Sequence, residues 1–313
     1  MFAKQTAMSA AIIAALGGSA VADPGGDGRG YFQLGAGYNT DDGFLATAAV
    51  DQPSLFGSGI ELGEFATISE RYQLFDMKLD VPGLARFDLY NNTRELPGFE
   101  RNAVGLAMRH TMQVSEHLSA FLGYRLEQVS IERDAIARET GAALPDSAGL
   151  VSALTAGFSY RDKRTAFGAW ADHADPRLGS DLAFSKIGGW VSTSQPLGPF
   201  TVHVAGSYTR VFDAPMSERL FLDGATDVRG FAPGAFGPLG GATDKLVAHG
   251  SLELPIAHGF SLEGFVDGAR LDRTFGSSMG YGVIWRSPLG PLHVDLAYPD
   301  GGPPVPFISI GAL

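Results

Sequence analysis

Hydrophobic and polar residues alternate with a period of two along most of the chain. In the segment 260–269, Leu262 and Val266 fall on one face, whereas Glu263 and Asp267 fall on the other. Because successive side chains of a strand point to opposite sides of a sheet, this pattern is typical of strands with one apolar and one polar face. No segment carries a sustained apolar stripe of helical period, so the pattern predicts an all-β protein.

The alternation predicts sixteen strands, an even number that is typical of bacterial single-chain membrane barrels. The predicted strands span residues 30-39, 43-51, 57-68, 70-80, 83-93, 101-113, 117-132, 149-161, 165-173, 180-194, 199-212, 245-255, 259-270, 277-286, 290-297 and 305-313. The segments 57-68 and 165-173 are the weakest, and fourteen strands is the fallback if either is wrong. Because open sheet edges are costly in lipid, we predict a closed, transmembrane antiparallel β-barrel.

The composition agrees with a protein wall that faces lipid. Of the 313 residues, 45% are hydrophobic and 18% are charged, whereas a soluble domain carries about 25% charged residues. No apolar run is long enough for a transmembrane helix. The chain has no cysteine, which excludes a disulfide scaffold and a thiolate metal site. The net charge of -11 argues against nucleic-acid binding.

The first 22 residues have the features of a secretory signal peptide. Lys4 gives a positive start, residues 8–16 form an apolar run too short to span a bilayer, and an A-V-A cleavage site ends at Ala22. We therefore predict a signal peptide over 1-22 and a single outer-membrane barrel domain over 23-313. About eight residues precede the first predicted strand, so no further periplasmic module is expected between the two.

Two connections between predicted strands are long. The connection 133-148 is polar and is expected to be an exposed loop. The connection 213-244 is longer, and structureless connections above about 15 residues are usually functional or disordered. Its large apolar residues are Phe221, Leu222, Val228, Phe231 and Phe236. A solvated loop has no use for so many apolar side chains, so we expect this connection to pack inside the barrel.

The long connection also carries a tip motif. The motif consists of Val228, Arg229, Gly230 and Phe231. Five predicted strands follow this motif. In this respect the chain resembles the BamA/TamA-type outer-membrane insertion and translocation barrels, also called bacterial surface antigen barrels, in which five strands also follow the motif. The resemblance is strongest from residue 218 to residue 311. It implies a sixteen-stranded barrel whose long sixth outer loop is folded into the lumen.

The resemblance also implies a partner for Arg229 on the inner wall. In the family, the loop arginine contacts the acidic residue of an F-x-D-x-G strand motif, which Phe265 and Asp267 match here, although the glycine comes one position early. Glu253 and Glu263 face inward by alternation and are alternatives. A guanidinium in a partly dry lumen requires a carboxylate, and a bidentate one suits it best.

Two glycines of a later strand share the inward face of that strand. Gly280 and Gly282 carry no side chain and therefore allow another backbone to approach closely. We expect the loop tip to lie against this part of the wall.

The last strand resembles the assembly signal of the family. The residues that match it are Phe307, Ile308, Ile310, Gly311 and Leu313. The family strand usually ends in an aromatic residue, whereas this chain ends in Leu313, one residue closer to the glycine than expected. Pro304 and Pro306 limit the hydrogen bonding of this strand.

The resemblance implies a role at the bacterial outer membrane, in the insertion of proteins into that membrane or their translocation across it. The family's periplasmic POTRA modules are not expected in this chain, so a separate periplasmic chain is a possible partner, beside membrane lipid and outer-membrane or exported protein clients. A passive pore or a structural barrel is the alternative. The sequence predicts no catalytic site, no metal site and no cofactor.

Overall fold

The computed structural model of the chain describes residues 30–39, 43–55, 58–133, 148–238, 240–287 and 290–310. The predicted signal peptide at 1-22 lies outside the described residues, as does most of the connection 133-148. Within the described residues, no helix has the length and apolar character needed to cross a bilayer.

The described residues form strands of a single antiparallel sheet. The strands are β1 (Tyr31–Asn39), β2 (Gly43–Gln52), β3 (Glu61–Ile68), β4 (Tyr72–Val81), β5 (Ala85–Leu96), β6 (Phe99–Gln113), β7 (Leu118–Arg133), β8 (Gly149–Arg161), β9 (Thr165–Ala174), β10 (Phe184–Leu197), β11 (Phe200–Phe212), β12 (Asp244–Ala257), β13 (Phe260–Leu271), β14 (Thr274–Ser287), β15 (Gly290–Pro299) and β16 (Val305–Ile310). Each strand pairs with the next along the chain. The predicted all-β, antiparallel architecture is therefore confirmed, and the two weakest predicted segments form β3 and β9.

The first and last strands meet as well. Asn39 of β1 stands opposite Ser309 of β16, and this is the one register pair between the two strands within the described residues. By contrast, β1 pairs with β2 along its whole length, from Tyr31↔Asp51 to Asn39↔Gly43. The closure of the sheet at this seam, with sixteen strands, remains a prediction.

The two faces of the sheet differ as the alternation predicts. In β13, Leu262 and Val266 are 46% and 56% exposed on the outer face, whereas Phe265 and Asp267 are buried on the inner face. The outer face carries exposed large apolar residues on most strands, and the inner face carries most of the buried charged residues. A wall of this kind suits a barrel with lipid outside and a polar interior.

Several aromatic rings of the inner face lie over glycines of the neighbouring strand. The pairs, which stand opposite each other in the strand register, are Tyr90 and Gly105, Phe121 and Gly157, Trp170 and Gly188, Trp190 and Gly168, and Phe265 and Gly280. A Cβ atom on any of these glycines would crowd or collide with the ring. Each ring therefore rests against the wall, which leaves space in the lumen for the connection between β11 and β12.

That connection, residues 213–243, packs against the inner wall with its apolar side chains. Val228 belongs to a buried cluster with Val247 and Leu271. Phe221 meets Phe99 edge to face, with ring centroids 5.6 Å apart. The apolar residues that set this connection apart in the sequence are thus the ones that attach it to the wall.

The last strand ends at Ile310. Phe307 is 3% exposed on the inner face, and Ile308 is 38% exposed on the outer face. The other residues of the predicted assembly signal, Gly311 and Leu313, lie outside the described residues.

Candidate functional site: the lumenal loop and its wall contacts

The connection 213–243 is termed the lumenal loop, and it is closed at its base. Leu220 and Ala242 form an isolated antiparallel bridge, with N–H to carbonyl distances of 2.8 and 2.7 Å. Two short 3-10 turns, Met216–Glu218 and Gly224–Thr226, shape the first half of the loop. The bridge and the turns give the loop a defined path, so its charged side chains reach fixed places on the wall.

The tip of the loop turns sharply after Arg229. Val228 is fully buried, and its N–H donates to the Gly224 carbonyl at 2.9 Å. Gly230 has a φ of 88°, a left-handed conformation that residues with a Cβ atom rarely adopt. Phe231 follows, with its ring edge to face against Phe236 at 5.2 Å. This conformation directs the Arg229 side chain toward the inner faces of β13 and β15.

Arg229 makes a bidentate ion pair with Asp267 of β13. Its Nε donates to Asp267 Oδ2 at 2.8 Å, and its Nη2 lies 3.2 Å from Asp267 Oδ1. The backbone N–H of Arg229 also donates to Oδ2, at 3.3 Å. His249 Nδ1 lies 3.1 Å from Oδ1. The buried carboxylate of Asp267 thus binds both the backbone and the side chain of the tip.

Two further carboxylates share the same guanidinium. Arg229 Nη1 donates to Glu263 Oε2 at 2.9 Å and to Asp295 Oδ2 at 3.3 Å. Burial by itself lowers the pKa of Arg229, but the hydrogen bonds and charge of Asp267, with the charges of Glu263 and Asp295, raise the pKa above its ordinary value. These four residues are termed the tip cluster. One cation of the loop is therefore held by three anions of the wall.

The structure brings Glu253, the other alternative partner suggested by the sequence, to Arg286 rather than to Arg229. Arg286 Nη2 donates to Glu253 Oε1 at 2.5 Å. The second carboxylate oxygen lies 3.3 Å from His203 Nε2. Glu253 thus faces the lumen as the alternation predicts, but it serves a different ion pair.

The two inner-wall glycines of β14 allow close approach of neighbouring side chains. Gly280 makes room for the ring of Phe265, and Gly282 makes room for the carboxylate of Asp295. The Phe265 ring in turn supports Arg229, whose guanidinium carbon lies 3.4 Å from the ring centroid. These glycines therefore accommodate the wall residues that hold the arginine.

The loop does reach one glycine of β14. The ring of Phe236 lies over Gly276, where a Cβ atom would collide with it. The contact of the loop tip with the wall at Gly280 and Gly282 remains a prediction.

A second buried ion-pair cluster holds the first 3-10 turn of the loop. The Glu218 carboxylate lies 3.4 Å from Arg125 Nη1 and 3.7 Å from Arg101 Nη2, and Lys186 Nζ donates to its other oxygen. Burial by itself raises the pKa of Glu218, but the charges of Lys186, Arg125 and Arg101 hold this pKa well below its ordinary value. These four residues are termed the base cluster.

The wall balances the charges of the base cluster. Arg101 Nη2 donates to Glu127 at 2.8 Å, and Arg125 Nη2 donates to Asp172 at 2.9 Å. With Glu218, these two carboxylates match the three cations, so the base cluster together with Glu127 and Asp172 is neutral. The two clusters have opposite polarity, because the loop supplies the cation at the tip and the anion at the base.

A third contact lies between the two clusters. Lys245 of β12 binds two loop carboxylates, Asp223 at 3.0 Å and Asp227 at 2.5 Å, and donates to the Phe221 carbonyl at 2.8 Å. Asp223 also pairs with Arg94 of β5. The first half of the lumenal loop is therefore attached to the inner face of the wall at two strands, β12 and β5.

Glu263, His293 and Asp295 offer ligand atoms that all lie within 4.8 Å of one another, a spacing that would suit a metal ion. Both carboxylates already accept from Arg229 Nη1. A metal ion at this place would face the guanidinium charge at close range, so the arginine itself serves as the cation of the site.

Substitution of Gly230 by alanine is expected to weaken docking of the tip by about 1–2 kcal/mol. The new Cβ atom would lie 3.0 Å from the Ala297 Cβ, at a φ that disfavours any side chain. Gly240→Ala is the matched control, because no atom of the described residues lies closer than 3.6 Å to its added Cβ atom. Thermal unfolding measures both variants, and equal stability of the two would contradict the proposed strain.

Sequence reasoning did not identify Asp295 or the base cluster. A signal was present, since Arg101, Arg125 and Lys186 are charged residues at the inward positions of alternating strands. Alternation gives the face of a strand but not which inward charges meet across the lumen. Glu218 was the less visible partner, because no periodicity applies within the loop.

The comparison with known families agrees with this architecture. The Omp85 superfamily domain matches residues 27–303. The chain belongs to the Omp85 superfamily. The resemblance inferred from the tip motif is therefore confirmed. Omp85 relatives of this barrel, BamA and CdiB, are outer-membrane β-barrels.

The fold of this Omp85 barrel is similar to the solved structures of two proteins, BamA and CdiB. It is similar to BamA from Haemophilus ducreyi lacking POTRA domains 1-3, with a TM-score of 0.78 and 18% identity, over 90% of this chain and 70% of that chain. It is also similar to CdiB from Acinetobacter baumannii and from Escherichia coli, with TM-scores of 0.57 and identities of 11% and 10%. The match covers 90% of this chain but only 59% and 62% of the CdiB chains. At these identities the likeness concerns the fold.

Proposed function

We propose that this Omp85 barrel supports the insertion of proteins into the bacterial outer membrane or their translocation across it. The observation that carries the proposal is the tip cluster, in which one buried arginine of the loop is held by Asp267, Glu263 and Asp295. Such a cluster keeps the loop inside the barrel. An open passive channel would gain nothing from a loop that fills it.

The proposal includes the finer features that the sequence predicts. The signal peptide at 1-22 directs the chain out of the cytoplasm, and the barrel closes with sixteen strands in the outer membrane. Its apolar outer face contacts membrane lipid. Protein clients, and a separate periplasmic partner chain, are the remaining proposed partners.

The route for a client is the seam between β1 and β16. Within the described residues these strands share the pair Asn39↔Ser309, whereas β15 and β16 pair from Leu292↔Ile310 to Ala297↔Val305. The edge of β16 at this seam accepts an incoming strand by backbone hydrogen bonding, and Pro306 removes one backbone donor from it.

Locking the seam tests this route. Asn39→Cys with Ser309→Cys places two cysteines at facing positions of a chain that has no other cysteine. We expect oxidation to lower the insertion of an unfolded outer-membrane barrel polypeptide into liposomes about tenfold, with recovery on reduction. Ala36→Cys with Ala46→Cys bridges β1 and β2 away from the seam and serves as the control.

Two results would count against the proposal. Full insertion activity of the oxidised seam variant would reject the seam as the route. A large, steady conductance of the intact protein in planar bilayers would favour the alternative of a passive pore, and a structural barrel would show neither activity nor conductance.

A further inference from the structure

The tip cluster holds more negative than positive charge. Its three wall carboxylates, on Glu263, Asp267 and Asp295, share one cation, the guanidinium of Arg229. His249 lies 3.1 Å from Asp267 and adds a charge only when it is protonated. With the carboxylates ionised and this histidine neutral, three anions face one cation, so the cluster carries two negative charges in excess. This part of the wall therefore attracts cations more strongly than one arginine can satisfy.

The neighbouring ion pairs of the described residues do not supply the missing charge. Arg286 of β14 is matched by Glu253, whose carboxylate accepts from it. The two cations of the contact between the clusters, on β12 and β5, are matched by two loop carboxylates. The base cluster is neutral together with its two wall carboxylates, as described above. The excess is thus local to the wall at β13 and β15.

Three side chains of this part of the wall are of the types that bind transition metals. Glu263, His293 and Asp295 offer ligand atoms that all lie within 4.8 Å of one another. Zn²⁺ binds imidazole nitrogen and carboxylate oxygen at about 2.0–2.2 Å, and tetrahedral geometry places two such atoms about 3.4 Å apart. The set is therefore slightly wider than a bound ion requires, and side-chain movements of about 1 Å would close it.

Two atoms of this set take no part in holding the arginine. Within the described residues, Asp295 Oδ1 and His293 Nδ1 are buried and have no hydrogen-bond partner. Asp295 Oδ1 lies over Gly282, where an added Cβ atom would collide with it. Gly282 stands between Glu263 and Asp295 in the strand register, so this oxygen is directed toward Glu263. Buried polar atoms without a partner are costly, and a bound cation would satisfy them.

We propose that Glu263, His293 and Asp295 form a binding site for a divalent transition-metal ion, of which Zn²⁺ is the test case, and that this ion takes the place of Arg229. Imidazole together with carboxylates suits Zn²⁺, whereas Mg²⁺ and Ca²⁺ prefer oxygen ligands alone. Arg229 Nη1 binds the same two carboxylates, and two cations at this distance repel each other. The ion therefore binds when the loop tip leaves the wall, and the bound ion keeps the tip released.

Titration calorimetry with the Arg229→Ala protein tests the site. The protein is prepared without a histidine tag in a non-ionic detergent, and the chain has no cysteine that would compete for the metal. We expect Arg229→Ala to bind Zn²⁺ at least about tenfold more tightly than the wild type, in which the ion must displace the guanidinium. Mg²⁺ and Ca²⁺ are expected to bind this variant at least about tenfold more weakly than Zn²⁺.

A second substitution in the same protein assigns the histidine ligand. Addition of His293→Gln to Arg229→Ala is expected to weaken Zn²⁺ binding about tenfold or more. Addition of His173→Gln is the matched control, because His173 lies on β9, 2.9 Å from the hydroxyl of Ser185, and does not belong to the ligand set. This control is expected to leave the affinity unchanged.

Proteolysis of the chain with Arg229 in place tests the exchange itself. Saturating Zn²⁺ is expected to raise the rate of chymotrypsin cleavage at Phe231 and Phe236 toward the rate of Arg229→Ala, because the ion releases the tip. The single variant His293→Gln is expected to be cleaved at the same rate with and without Zn²⁺. This control also accounts for any effect of the metal on the protease.

Equal Zn²⁺ affinity of the wild type and Arg229→Ala would overturn the exchange with the arginine. Unchanged affinity after His293→Gln, or Mg²⁺ binding as tight as that of Zn²⁺, would show a general attraction of cations to the acidic wall and would overturn the site. If Arg229→Ala does not fold, the wild-type proteolysis decides, because cleavage that Zn²⁺ does not accelerate counts against the proposal. These measurements need no client protein, so they are independent of the proposed role in insertion.

Discussion

Replacement of Arg229 by alanine is expected to lower the free energy of unfolding by about 3–5 kcal/mol, because it leaves buried carboxylates without their cation. The carboxylates of Asp267 and Asp295 are buried in the wall and cannot move into solvent with the loop. We expect the tip to leave the wall, which would expose Phe231 and Phe236 to chymotrypsin. Thermal unfolding and the rate of cleavage at these residues measure the effect.

Arg219→Ala is the matched control for this experiment. Arg219 lies in the same loop, and among the described residues it donates only to the carbonyls of Ala214 and Gly241, at 3.3 and 3.5 Å. Its removal leaves no carboxylate unpaired. Arg229→Lys separates charge from geometry, since lysine cannot make the bidentate pair with Asp267 and is expected to recover only part of the loss. If Arg229→Ala were as stable and as protected as Arg219→Ala, the tip cluster would not hold the loop.

Neutralisation of Glu218 is expected to have an effect of similar size at the base of the loop. Glu218→Gln keeps the shape of the side chain but leaves Arg101, Arg125 and Lys186 with one buried positive charge in excess. The cost is about 3–5 kcal/mol in the free energy of unfolding. Glu95→Gln is the control, because Glu95 is a largely exposed residue 3.9 Å from Arg71 and its pair contributes less than about 1 kcal/mol.

The pH dependence of the same comparison gives a second check. The pKa of Glu218 is lower in the folded protein than in the unfolded chain. The contribution of Glu218 to the free energy of unfolding is therefore fully present above the unfolded-state pKa of about 4.3, and it is lost as the pH falls through the folded-state pKa. The stability difference between the wild type and Glu218→Gln should therefore narrow below about pH 4. If the difference in the free energy of unfolding between the two proteins stayed constant from about pH 7 to well below about pH 4, the charge of Glu218 would have no part in attaching the loop to the wall.

The strands were predictable because their signal is local. Alternation of period two follows from strand geometry, so Leu262 and Val266 could be assigned to the outer face and Asp267 to the inner face from the sequence. The family resemblance added the link between Arg229 and Asp267, which are 38 residues apart. No local pattern contains that information.

The remaining contacts depend on which inward side chains meet across a curved wall. Asp295 reaches Arg229 because Gly282, opposite it in β14, carries no side chain. Glu218 reaches cations on β6, β7 and β10, each of which lies at least 32 residues away from it in the chain. The sequence gives the inward position of each residue, whereas the size of each neighbour and the path of the loop decide the partners.

The opposite polarity of the two ion-pair clusters restricts how the loop can enter the barrel. If the loop were turned end for end, Arg229 would face the arginines of β6 and β7, and Glu218 would face the acidic surface of β13 and β15. Both encounters would be repulsive, and repulsion between desolvated charges is poorly screened by salt. The charges of the loop and the wall therefore favour one orientation of the loop in the barrel over the reversed one.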